Sequence, residues 1–147
     1  MKRRAVILGA SSLALLAGCL SDDDDRIDER GDIEILIDDS RIDLSEDRYQ
    51  AEHAENHSID FHLHEGSDEW FMEGEERVTF AEAIDLLPHF AFATDDGEHV
   101  LEHDGETYDE GDAGTEMTFT VDGDEVEPTE YTLRDGDEMV LEVTTDN

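Results

Sequence analysis

His62 and His64, in the stretch FHLHEG from Phe61 to Gly66, are the residues whose types and spacing best suit chemistry. On a strand, side chains at i and i+2 share a face with Cα atoms about 6.5–7 Å apart, a gap that two imidazoles can narrow onto one metal. Zn or Cu(II) suits nitrogen ligands of this kind. Glu65 is adjacent, and His53 or His57 in the preceding loop is placed to add a third donor. The competing reading makes both histidines the solvated face of a half-buried strand, since two ligands alone form a weak site.

The remaining candidates are thinner. His89, His99 and His103 lack ligand spacing with one another, and His99 and His103 lie among acidic residues that read as their partners. Asp122-Gly-Asp and Asp135-Gly-Asp read as turns, because no D-x-[DN]-x-[DN]-G loop with its distant Glu surrounds them. There is no G-x-S-x-G elbow, Walker A loop or dinucleotide fingerprint. Carboxylates are so numerous that a close pair of them marks no acid/base site. Trp70, Phe71 and Met72 read as core or interface anchors rather than a ligand box.

The elements that must position these residues follow from periodicity and turn chemistry. Ile33–Ile37 and Arg41–Leu44 alternate around the turn cluster Asp38-Asp39-Ser40, which predicts a hairpin. Ser58 to His64 alternates as a strand, with Ile59, Phe61 and Leu63 on one face and His62 and His64 on the other. Glu69 to Met72 makes its short partner. Thr79 and Glu82 fit a capping box, Phe80, Ala83, Ile84 and Leu87 form an apolar helical stripe, and Pro88 ends it. Short strands punctuated by Asp-Gly complete the chain, the last running from Met139 to Val143. This order of hairpin, strands, one helix and more strands predicts an α+β domain, a mixed β-sheet with one packed helix.

The N-terminus carries a different signal. Lys2-Arg3-Arg4 precedes the apolar run Ala5–Gly18, which is short for a membrane span and suited to a signal peptide. Leu16-Ala-Gly-Cys19 resembles the lipobox of prokaryotic lipoproteins, and Cys19 is the one cysteine of the chain. The resemblance implies cleavage before Cys19 and a two-chain lipid on its thiol, which holds a protein firmly where one chain would not. Arg3-Arg4 also resembles a twin-arginine export signal. The expected organisation is a signal peptide over 1–18, a lipidated Cys19 with an acidic tether over 19–32, one domain over 33–143 and a polar tail over 144–147. Asn56-His57-Ser58 is an N-glycosylation acceptor tripeptide on a surface loop.

The charge is extreme: 9 Lys and Arg face 44 Asp and Glu, a formal net charge of −35. A surface of this sign repels phosphates, which excludes nucleic acid as a partner. It is tolerated where salt screens it, since the Debye length is about 3 Å at 1 M. The composition resembles that of halophilic archaeal proteins. The ending VDGDEVEPTEYTLRDGDEMVLEV resembles the closing strands of ubiquitin-like β-grasp proteins, which implies a β-grasp-like fold. The terminal Gly-Gly of the sulfur carriers in that class is replaced by Thr144-Thr-Asp-Asn147, so their activity is not implied. Taken whole, residues 33 to 143 look like the uncharacterised domains of haloarchaeal surface lipoproteins. The expected function is a non-enzymatic lipoprotein, anchored through Cys19 on the outer face of the membrane, that binds a protein or envelope partner. The alternative is a surface protein that binds Zn or Cu through His62 and His64.

Overall fold

The computed structural model describes residues 27–54 and 58–145. Arg3, Arg4, Cys19 and Asn56 lie outside the described residues, as do the expected leader over 1–18 and most of the expected tether.

The first strand, β1 (Glu29–Ile37), buries Gly31, Ile33 and Ile35 on one side and leaves Asp32 and Glu34 toward solvent, the period-two pattern of a half-buried strand. A two-residue turn leads to β2 (Ser40–Arg41), and 3-10 turns cover Asp47–Tyr49 and Ala51–His53. β3 (His62–Leu63) and β4 (Glu69–Met72) pair antiparallel. The helix α1 (Phe80–Leu86) is followed by β5 (Phe90–Asp95), β6 (Glu98–His103), β7 (Glu106–Asp109), β8 (Glu116–Val121), β9 (Asp124–Glu125) and β10 (Glu138–Thr144).

These strands form two sheets. The larger has seven strands in the order β3-β4-β1-β10-β8-β9, with β2 on the distal half of β1. At its centre the first and last strands run parallel, Ile33 opposite Met139 and Ile35 opposite Leu141. All other pairs are antiparallel. The smaller sheet, β5-β6-β7, is antiparallel throughout. One core joins sheets and helix. Phe80 meets Phe119 edge-on with ring centroids 5.5 Å apart, and Phe92 meets the same ring at 5.8 Å. Phe61 stacks on the fully buried Trp70 at 5.6 Å. The fold is thus α+β and β-grasp-like, with parallel terminal strands at the centre of a mixed sheet and one helix packed into its core.

The capping box forms as the sequence requires: Thr79 accepts from the Glu82 amide at 3.2 Å, and the Thr79 amide donates to the Glu82 carboxylate at 2.8 Å. Four hairpins among the described residues turn on two residues with positive φ, at Asp38-Asp39, Asp96-Gly97, Asp104-Gly105 and Asp122-Gly123. Positive φ at both positions is the type I′ geometry whose twist matches the flanking strands.

Several boundaries differ from the sequence reading. β1 begins at Glu29, four residues before the expected start of the domain, and Ile27 already packs on the core and donates to the Gly74 carbonyl. Its first half is acidic and carries Gly31 where a strand normally carries a side chain, so it reads as tether. At the other end Thr144 belongs to β10, and Thr145 bonds the Asp38 carboxylate through its amide and hydroxyl, each at 2.7 Å. Arg41–Leu44 is strand only at Arg41. Tyr131–Leu133 contributes a single bridge, Thr79 to Thr132. Ser58 to His64 is not one strand. Ser58 bridges to Phe61 around a turn in which the Ser58 hydroxyl accepts from the Asp60 amide at 3.1 Å, so the alternation is interrupted and Ile59 is 48% exposed.

A candidate metal centre on beta strands 3 and 4

The register of β3 against β4 sets the site. His62 lies opposite Phe71 and Leu63 opposite Trp70. Leu63, Trp70 and Met72 point into the core, which turns His62, Phe71 and the residue after the strand, Glu73, to the other face. That face is not solvated, contrary to the simpler sequence reading. Phe71 is buried under the His64 ring, whose centroid lies 4.0 Å away, and His62 packs beside it at 6.1 Å. The two imidazole centroids are 5.3 Å apart. Only 7% of His62 is exposed.

A hydrogen bond orients the His62 ring, and carboxylates lie beside both imidazoles. His62 Nδ1 faces the Ser58 carbonyl at 2.8 Å, and His62 Nε2 meets Glu73 Oε1 at 2.8 Å. The Glu73 amide donates to the Ile59 carbonyl at 3.0 Å, tying the end of β4 to the turn that carries Ser58. His64 Nδ1 lies 3.2 Å from Glu65 Oε2.

His62, His64 and Glu73 each present one donor atom, and the three atoms lie within 4.8 Å of one another. Four-coordination at bond lengths of about 2.0–2.1 Å needs donors about 3.4 Å apart, so small side-chain rotations close the set on an ion. Two imidazole nitrogens and one carboxylate oxygen suit Zn and Cu(II). The Ser58 carbonyl holds His62 Nδ1, which leaves His62 Nε2, already beside Glu73, for a metal, and a carboxylate lies beside His64 Nδ1.

No protein-family model, curated protein or solved structure matches this chain. The site therefore has to be read from its own geometry.

The sequence reading found two of the three donors and missed Glu73. In EWFMEG that residue follows the strand by one position, and its alternation with Phe71 places it on the histidine face. The β3–β4 register was the signal that could have found it. His53 is not part of the cluster: its Nε2 lies 3.7 Å from Asp47. His57 and Asn56 lie outside the described residues.

The other histidines are built into ring packing. His99 is buried between Phe92 and Phe119, at 5.5 and 5.2 Å, with Glu127 3.5 Å from its Nε2. His103 stacks on Phe90 at 4.5 Å, and its Nε2 lies 2.7 Å from the Tyr49 hydroxyl and 3.5 Å from Asp104. Both meet a carboxylate, as expected, but aromatic contact accounts for most of their burial. Burial pushes the His103 imidazole below its ordinary range, and the neighbouring Asp104 carboxylate opposes that shift. Asp122-Gly123 and Asp135-Gly136 are turns.

Proposed function

We infer that the protein is a non-enzymatic surface lipoprotein, held on the outer face of the membrane through Cys19, whose folded domain binds a transition metal, Zn or Cu(II), with His62, His64 and Glu73. The observation that carries the metal reading is the convergence of two imidazoles and a carboxylate within 4.8 Å on the face of β3 and β4. The lipobox likeness around Cys19 supports the anchor, and the twin arginines Arg3 and Arg4 support export of the domain already folded. Among the described residues no helix is long and apolar enough to cross a membrane. The acidic surface raises the local concentration of cations and repels nucleic acid. The likeness to haloarchaeal lipoproteins suggests near-saturated salt as the setting.

Titration of the purified protein with Zn²⁺ and with Cu²⁺ in molar salt tests the reading. Micromolar or tighter binding is expected, with at least a tenfold loss in Glu73→Gln and abolition in the His62→Ala/His64→Ala double variant. Affinity weaker than about millimolar, or unchanged in the double variant, rules the metal out and leaves a domain that binds a protein or envelope partner.

A further inference from the structure

The turn between β3 and β4 places a long side chain in the left-handed region, where the two-residue hairpin turns use only aspartate and glycine. Glu65 has φ +65° and Gly66 follows at +65°. Glycine enters this left-handed region freely, whereas a residue with a long side chain does so at a cost. Glu52, in the second 3-10 turn, and Gln50, between the two turns, hold the backbone there. The Glu65 amide donates to both Glu52 carboxylate oxygens, at 3.1 and 3.2 Å, and the Gly66 amide donates to Gln50 Oε1 at 2.9 Å. Gln50 is buried, and its own amide nitrogen donates to the carbonyls of Leu44 and Ser67 at 2.8 and 3.0 Å. From this braced backbone the Glu65 carboxylate reaches His64 Nδ1.

We propose that Glu65 is a positioning residue of the metal centre: braced in the left-handed region by Glu52, it holds the His64 ring by Nδ1 and leaves Nε2 for the metal. This rests on the metal reading of His62, His64 and Glu73. The Ser58 carbonyl performs the same service for His62, whose Nε2 then faces the third donor, Glu73. Outer partners of this kind change metal affinity about 10–100-fold when removed. Strain in a backbone persists when surrounding structure over-determines it, and such strain gathers at ligand sites.

Glycine at position 65 separates this role from a merely structural one, because it relieves the backbone while deleting the carboxylate. In full-length Glu65→Gly and Glu65→Asn, Zn²⁺ and Cu²⁺ affinity is expected to fall about 10–100-fold. The metal-free unfolding midpoint stays the same or rises in both, and Glu65→Gln, which keeps an acceptor, recovers most of the affinity. Electron paramagnetic resonance of the Cu²⁺ form is expected to show two coordinated imidazoles in the parent chain and a weakened or lost second one in Glu65→Gly. Unchanged affinity with two imidazoles in Glu65→Gly, or a joint fall of stability and affinity, overturns the assignment. A parent chain that binds neither ion removes the metal reading itself, and that result is seen before any variant is made.

Discussion

His103 shows how one buried ring couples the fold to pH. Its Nε2 faces the Tyr49 hydroxyl, to which Arg48 donates at 2.5 Å, and Arg48 is also paired with Asp104. A neutral imidazole accepts from that hydroxyl, whereas a protonated one would place a second positive charge beside Arg48. His89 adds to this repulsion, and Asp104 and Glu106 oppose it. Because burial above all, with Arg48 and His89 behind it, lowers the pKa of His103 in the folded state, the unfolded chain takes up the proton first as pH falls. The contribution of His103 to stability is complete above the ordinary imidazole value, about 6.5, and is lost as pH drops from there through the depressed folded value. The unfolding midpoint is therefore expected to fall between about pH 7.5 and 5.5, and His103→Phe, which keeps the stack on Phe90, should flatten that slope. An identical slope in the variant would assign the titration to another group. This network could not be read from the sequence, since Tyr49 and His103 are 54 positions apart and meet only across the core, whereas Glu73 lies one residue past a strand whose alternation places it. Cys19 is a case where the sequence alone carries the reading, because a peptidase would recognise its neighbours in the chain.

At the scale of elements, local chemistry was legible and strand neighbourhood was not. Thr79, Glu82 and Pro88 declare the helix because its start and stop are made by residues close together in the chain. Asp-Gly declares the hairpins because the turn sets its own dihedrals. The pairing of β1 with β10 depends on contacts between opposite ends of the domain, and the early start of β1 depends on Trp70. A Cβ at Gly31 would lie 2.2 Å from the Asp137 carbonyl oxygen and 2.6 Å from the Trp70 ring, whose Nε1 donates to that same oxygen at 3.2 Å. Glycine is thus the side-chain-free seat on which the indole lies. Gly31→Ala must shift a backbone or the largest ring of the core, and overpacking of this kind costs about 1–3 kcal/mol. A lower unfolding midpoint with a blue- or red-shifted Trp70 emission is expected, and a midpoint equal to the parent would show that β1 can move away at little cost. The broken strand at Ser58–Phe61 illustrates the reverse: Ile59 alternates correctly in sequence, yet the Ser58 hydroxyl and the bridge to Phe61 give the backbone a tighter local solution.

For the whole molecule, the extreme property is its charge. The described core is ordinary in its apolar content, from Ile33 through Val143, while the described carboxylates other than the buried Asp137 lie outside it on strand faces, turns and loops. Each of the four hairpin turns begins with an aspartate, so acidic residues serve the backbone and the surface at once. With a formal net charge of −35, self-repulsion opposes the compact state once the Debye length grows past the spacing of neighbouring carboxylates. The far-ultraviolet circular dichroism of the domain is expected to collapse on dilution below roughly 1 M salt. A spectrum unchanged in salt-free buffer would refute the halophilic reading.

The parallel pairing of β1 with β10 also has a mechanical meaning. A domain anchored through the residues before Ile27 takes any pull from its surroundings along β1. That strand is gripped on both sides, by β10 from Asp32 to Ile37 and by β4 from Glu29 to Asp32. Force along the strand axis loads these rungs in shear, so they must fail together, whereas a strand peeled from a sheet edge gives way one rung at a time. A lipid anchor at Cys19 would thus pull on a strand held in shear on both sides, and the edge hairpins would carry little of the load.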